Sequence, residues 1–278
     1  MRIISCLLFS ISLTFFTGIT LAQTPSNSWA IVPVTADGIL NEWKMPLRYF
    51  DDRSHLAYEV SNDLTNLYVA VSTMDEATQV SIMRTGISLG VNIKGKKKIN
   101  TAVTYPLIDG KVLFAQRRHG GDGRPSSQMP EDVYDQLRPH MGNAGVKGII
   151  GVEDGTVDVT QHRTGIIAAL SFGNDTLNVE FVIPLSKLGL TPDYAKEVAY
   201  SITVNEDVPG GMGNNNRGPR MGGVGLGVGM GGGSMGGVGG GFGVNLGSFG
   251  GRRGMDGGGR NKDNTVRVKQ VLAKQEKM

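Results

Sequence analysis

The chain has 278 residues, a formal net charge of +3 and one cysteine. A lone cysteine excludes a disulfide framework and a cysteine-ligated zinc site. Acids and bases are interspersed along most of the chain, a pattern that predicts no polyanion partner, nucleic acid included. Glycine supplies 42 of the residues, far above the usual ~7%, and the excess is concentrated in one stretch.

In chain order, Arg2 precedes an apolar run from Ile3 to Ile19, followed by small Thr20 and Ala22. This is the pattern of an export signal cut between Ala22 and Gln23. The run falls short of the ~20 strongly apolar residues that span a bilayer. Cys6 precedes the apolar core and is badly placed to carry a lipid, and its loss with the signal leaves no thiol. The expected compartment is periplasmic or extracellular.

Beyond the signal the apolar residues recur with period two. "LYVAVS" (67–72), "ISLGVNI" (87–93), "KVLFAQ" (111–116), "LNVEFVI" (177–183) and "AYSITVN" (199–205) read as strands with one buried face. Turn chemistry separates them. Asp109-Gly110 predicts a hairpin joining "AVTYPLI" to "KVLFAQ", because a tight primed turn needs the positive φ that Asp and Gly tolerate. "EDG" (153–155) joins "GIIGV" to "TVDVT", and "GND" (173–175) joins "GIIAALSF" to "LNVEFVI". A short helix is expected around "PEDVYDQL", with Pro130 in its first turn, and a short helical segment over "PLSKLGL" (184–190). No convincing long amphipathic helix interrupts this pattern, which predicts an all-β antiparallel β-sandwich.

From Pro209 to Arg260 about half the residues are glycine, too little apolar surface to offset the ordering entropy of the backbone. The alternation of Val266 and Val268 then predicts a last strand. The organisation expected is a signal peptide over 1–22, a sandwich domain over 23–208, a long glycine-rich disordered insertion over 209–261, and a terminal strand and tail over 262–278. G-x-G-x-x-G strings in the insertion have no strand-to-helix context, so a dinucleotide site is not expected. Its methionines and interleaved Val, Leu and Phe leave self-association through this loop open.

"DGILNEW" (37–43), "SNDLTNLYVAVSTMD" (61–75), "GKKKINTAVTYPL" (95–107) and "VEFVIPLSKLGL" (179–190), in that order, resemble the β-sandwiches related to family 9 carbohydrate-binding modules and DOMON-like domains of secreted bacterial proteins. The resemblance spans about Trp29 to Asp207 plus the terminal strand. It implies a sandwich fold and binding of a glycan held between aromatic side chains.

Trp43 and Tyr105 are the candidate ligand-binding residues under that resemblance. Trp29 and Trp43 are the only tryptophans, and neither falls mid-chain where a second wall is expected. The preferred reading of Trp43 is a structural plug whose indole N–H finds a buried partner. Asp63 and Asp75, in or beside turns, are candidate ligands for a structural calcium, without EF-hand spacing. His55, His119, His140 and His162 show no metal-ligand spacing, and haem held by Met45, Met74 or Met83 with His55 or Lys44 is the weaker cofactor reading. With no G-x-S-x-G and no other catalytic constellation, the expectation is an exported, non-catalytic module for a carbohydrate or cell-envelope component. The alternative is a structural or surface-associated protein assembled through the glycine-rich loop.

Overall fold

A computed structural model describes residues 25–113, 129–205 and 264–275. The expected signal peptide, the glycine-rich insertion and the second half of "KVLFAQ" (114–116) lie outside the described residues. Two sheets form an antiparallel sandwich. The first has the order β1 (Ser28–Trp29), β3 (Leu56–Asn62), β4 (Asn66–Thr73), β10 (Thr176–Pro184), β9 (Ile167–Gly173), with β2 (Tyr49–Asp51) also paired to β3. The second runs β12 (Thr265–Gln270), β11 (Val198–Val204), β5 (Ile87–Asn92), β6 (Thr101–Tyr105), β7 (Asn143–Lys147), β8 (Gly155–Asp158). Every pairing is antiparallel except that of β1 with β3.

Period-two patterning sets which residues enter the core. Leu67, Val69 and Val71 of β4 and Leu177, Val179, Phe181 and Ile183 of β10 face inward, against Ile87, Leu89 and Val91 of β5 and Tyr200, Ile202 and Val204 of β11. The intervening Tyr68, Ala70 and Val182 turn to the outer face of the first sheet. There the segment Val34 to Leu47 covers them, packing Val34, Leu40, Trp43 and Leu47 into a second apolar cluster.

Glu180 lies on that outer face at 0% exposure and ties the covering segment down. Its Oε1 accepts from Trp43 Nε1 at 2.7 Å, and its Oε2 accepts from the backbone N–H groups of Gly38 at 2.9 Å and Asp37 at 3.2 Å. Burial pushes the carboxyl upward in pKa, and these three hydrogen bonds pull back against it. Gly38 is obligatory here. Its φ is +84°, and a Cβ at this position would stand 2.7 Å from Ser171 N.

The hairpin at "GND" forms as expected, with Asn174 and Asp175 at φ +50° and +57° between β9 and β10, and β12 pairs with β11. Helix α2 (Pro130–Leu137) starts at Pro130, and α3 (Leu185–Leu188) follows β10 and ends at left-handed Gly189. Three expectations need correction. Asp109-Gly110 makes no hairpin: Asp109 O accepts from Val112 N and Asp109 Oδ1 from Lys111 N, so the residues that follow, 110–113, turn helically. "GIIGV" is a turn, bracketed by Gly148 and Gly151 at φ +65° and +70°, and the strand before it is β7. Between β4 and β5 stands α1 (Glu76–Thr85), a helix the periodicity does not announce.

Candidate functional site

The two ends of the sandwich differ in character. At one end β6 and β8 finish, β7 begins, and the chain after α2 crosses between them. An open cleft of about 280 Å³ lies there, lined by Leu107, Asp109, Pro139, His140, Gly142, Asn143, Asp158 and Thr160. Backbone bonds fix its walls: Leu107 N donates to Asn143 O at 2.8 Å and Val159 N to Gly142 O at 3.0 Å.

The carboxylates in the cleft are held by their own turns. Asp158 Oδ1 accepts from Thr160 N at 2.8 Å and from the Thr160 hydroxyl, and its Oδ2 from Gln161 Nε2 at 2.7 Å. Those bonds, the Thr160 hydroxyl foremost, hold the Asp158 carboxyl below its usual pKa, so it is a standing hydrogen-bond acceptor at neutral pH. Asp109 Oδ1 accepts from Lys111 N at 2.7 Å. Leu107 and Pro139 add apolar surface to a lining that otherwise offers carboxylate, amide, imidazole and hydroxyl groups.

The residues singled out from the sequence lie elsewhere. Trp43 is 7% exposed and spends its N–H on Glu180, so it presents no ring face to solvent. Tyr105 is 4% exposed; its hydroxyl donates to Met141 O at 2.9 Å, and burial pushes its pKa up to about 12. It supports the Arg138–His140 turn beside the cleft from inside the core rather than meeting a ligand. The two rings are enclosed in different places, Trp43 beneath the segment that covers the outer face of the first sheet and Tyr105 in the core between the sheets, and neither lines the cleft.

Asp63 and Asp75 stand at opposite ends of the eight-residue β4, about 26 Å of extended chain, so no single ion meets both. Asp63 Oδ1 accepts from Thr65 N, Thr65 Oγ1 and Asn66 N, and Oδ2 accepts from the Tyr68 hydroxyl at 2.7 Å. Asp75 caps α1, its Oδ2 accepting from Thr78 N at 2.9 Å and Thr78 Oγ1 at 2.7 Å. Among the described residues no group of three or more His, Cys, Asp or Glu side chains is placed to hold a metal ion. Met83 is enclosed in the core, and Met45 and Met74 are exposed.

The cleft residues carried a faint signal in the sequence. Asp158-x-Thr160 and Asp109-x-Lys111 are spacings at which an Asp side chain bonds its own backbone two residues on, a turn signature that says nothing about which turns converge. His140 was visible only as a histidine beside a proline-rich loop.

Neither a protein-family model nor a curated protein matches the sequence. Among solved structures the chain is similar to a family 9 carbohydrate-binding module from Caldicellulosiruptor kristjanssonii in complex with glucose, at 12% identity and a TM-score of 0.32, over 66% of this chain and 78% of that one. The sandwich itself is established by the strand pairing of this chain. No helix among the described residues is long and apolar enough to cross a membrane.

Proposed function

We propose that the chain is an exported, non-catalytic binding module whose ligand is a carbohydrate or a carbohydrate-bearing component of the cell envelope. The observation that carries this reading is the cleft around Asp109, His140, Asn143 and Asp158, open to solvent and lined by fixed acceptors and donors beside the apolar surfaces of Leu107 and Pro139. A sugar presents the complementary pattern, a ring of hydroxyls around apolar C–H faces. Small ligands bind in concave, largely preformed sites where polar groups converge, and this cleft is more polar than most such sites. Export rests on the N-terminal apolar run.

The test is a glycan array on the chain from Gln23 onward, which keeps every described residue, run with calcium and again with chelator. Saturable binding to one sugar class that Asp158→Ala and Asn143→Ala abolish, with folding retained, supports the reading. A blank array, or binding indifferent to both substitutions, overturns it. Loss of binding with chelator points to calcium at Asp63 or at Asp75 separately.

A second reading draws on the antiparallel pairing of β11 with β12. Val204 N donates to Asn264 O at 3.0 Å, so residues 206–263 are inserted between two paired strands and are not a tail. In that reading the segment serves assembly, and deleting residues 210–260 lowers the oligomeric mass in solution while leaving any glycan binding intact.

A further inference from the structure

We propose that the end of the sandwich opposite the cleft docks on an anionic lipid surface. Strands β3 to β8 run up and down, so their consecutive turns alternate between the two ends, and the lysine-rich turn between β5 and β6 falls at the end away from the cleft. The turn between β5 and β6 carries Lys94, Lys96, Lys97 and Lys98, all four exposed. Lys147 at the finish of β7 and Lys187 in α3 join them, since Ala102 pairs with Lys147 and Ile150 N donates to Lys187 O at 2.9 Å. None of these six has an ion-pair partner among the described residues. The same end also carries the acids Asp63, Glu153, Asp154, Asp193 and Glu197, the last facing Lys269 at 3.9 Å, and the six lysines together with Lys196 and Lys269 outnumber them.

Exposed aliphatic side chains occupy the same end. Ile31 and Val32, at 91% and 60% exposure, follow β1, where Ala30 N bonds Asn62 O at the finish of β3. Leu64, 54% exposed, caps the adjoining β3–β4 turn, and Ile150, 57% exposed, tips the β7–β8 turn against α3. Loop tips that present aliphatic groups among unpaired lysines combine the two terms that drive interfacial binding, apolar area for the acyl boundary and attraction to anionic headgroups. A soluble polyanion engages the lysines and has no use for the aliphatic tips, which is why a lipid surface is the occupant favoured. The inference stands apart from the cleft and does not depend on its ligand.

The experiment is co-sedimentation of the chain from Gln23 onward with phosphatidylcholine vesicles, with and without phosphatidylglycerol, at low and raised salt. Two variants accompany it: K94Q/K96Q/K97Q/K98Q, and I31S/V32S, each checked by circular dichroism for an unchanged fold. The expected result is binding to the phosphatidylglycerol vesicles only, weakened by salt, with the lysine variant at least about tenfold weaker and the aliphatic variant also weaker. Equal binding to both vesicle types, no binding to either, or an undiminished aliphatic variant overturns the proposal; the last of these reassigns the lysines to a soluble polyanion.

Discussion

Replacing Trp43 with phenylalanine separates its two roles, because most of the ring volume stays while the N–H that meets Glu180 Oε1 at 2.7 Å is lost. An acceptor left unsatisfied in the interior costs about 1–3 kcal/mol, and the smaller ring adds about 1 kcal/mol for the space it vacates. Trp43→Phe therefore lowers stability by about 2–4 kcal/mol, a large share of the ~5–15 kcal/mol that holds a domain. Glu180→Leu alone strands three donors, from Trp43, Gly38 and Asp37. In the double variant the mutual loss is counted once, so a cycle of urea unfolding curves followed by far-ultraviolet circular dichroism should return a coupling of about 1–3 kcal/mol. Additive effects, or a Trp43→Phe change below ~0.5 kcal/mol, would refute the plug. So would a variant that unfolds normally yet no longer binds glycan, which would return Trp43 to the ligand.

Gly38→Ala combines a left-handed backbone with a Cβ 2.7 Å from Ser171 N; thermal unfolding should register a loss of about 2 kcal/mol or more, against a gain if the turn were free to relax. For Asp63, burial pushes the carboxyl up, but bonds from the Tyr68 hydroxyl, Asn66 N and the Thr65 amide and hydroxyl outweigh it and hold the pKa below 3.8. A depressed folded-state pKa gives stability that is present above the unfolded value and lost as pH falls through the folded one. The stability difference between wild type and Asp63→Asn should accordingly shrink as pH drops below about 4, and a difference constant with pH would show that the turn does not depend on the charge.

Much of the architecture was readable because one buried face per strand writes period two into the sequence. β4, β5, β10 and β11 fall within a residue or two of the alternating runs. The errors have physical causes. Helix α1 buries Gln79 beside Ile82 and Met83, so its inner face carries an amide, donating to Thr73 O and Asp175 O, where a periodicity search looks for an apolar residue. Asp-Gly at 109–110 suits the start of a helical turn as well as a hairpin, since an Asp side chain serves both. "GIIGV" is apolar enough for a strand, yet its flanking glycines bend it, and Ile150 ends exposed. The cleft was illegible for a different reason: Leu107 and Asp109, His140, and Asp158 come from three separate segments, and only the register of β6, β7 and β8 brings them together.

The first and last described segments are neighbours, and they run parallel. Asn27 N donates to Val271 O at 2.9 Å, Val271 N to Pro25 O at 3.0 Å, and Ala273 N to Asn62 Oδ1 at 2.8 Å. Tension applied between residue 25 and residue 275 would draw these parallel segments past one another lengthwise. Their hydrogen bonds are then loaded in shear and must fail together, whereas a hairpin pulled at its open end unzips one bond at a time. The chain is thereby built to resist stretching along its own length at the seam where its two sheets meet.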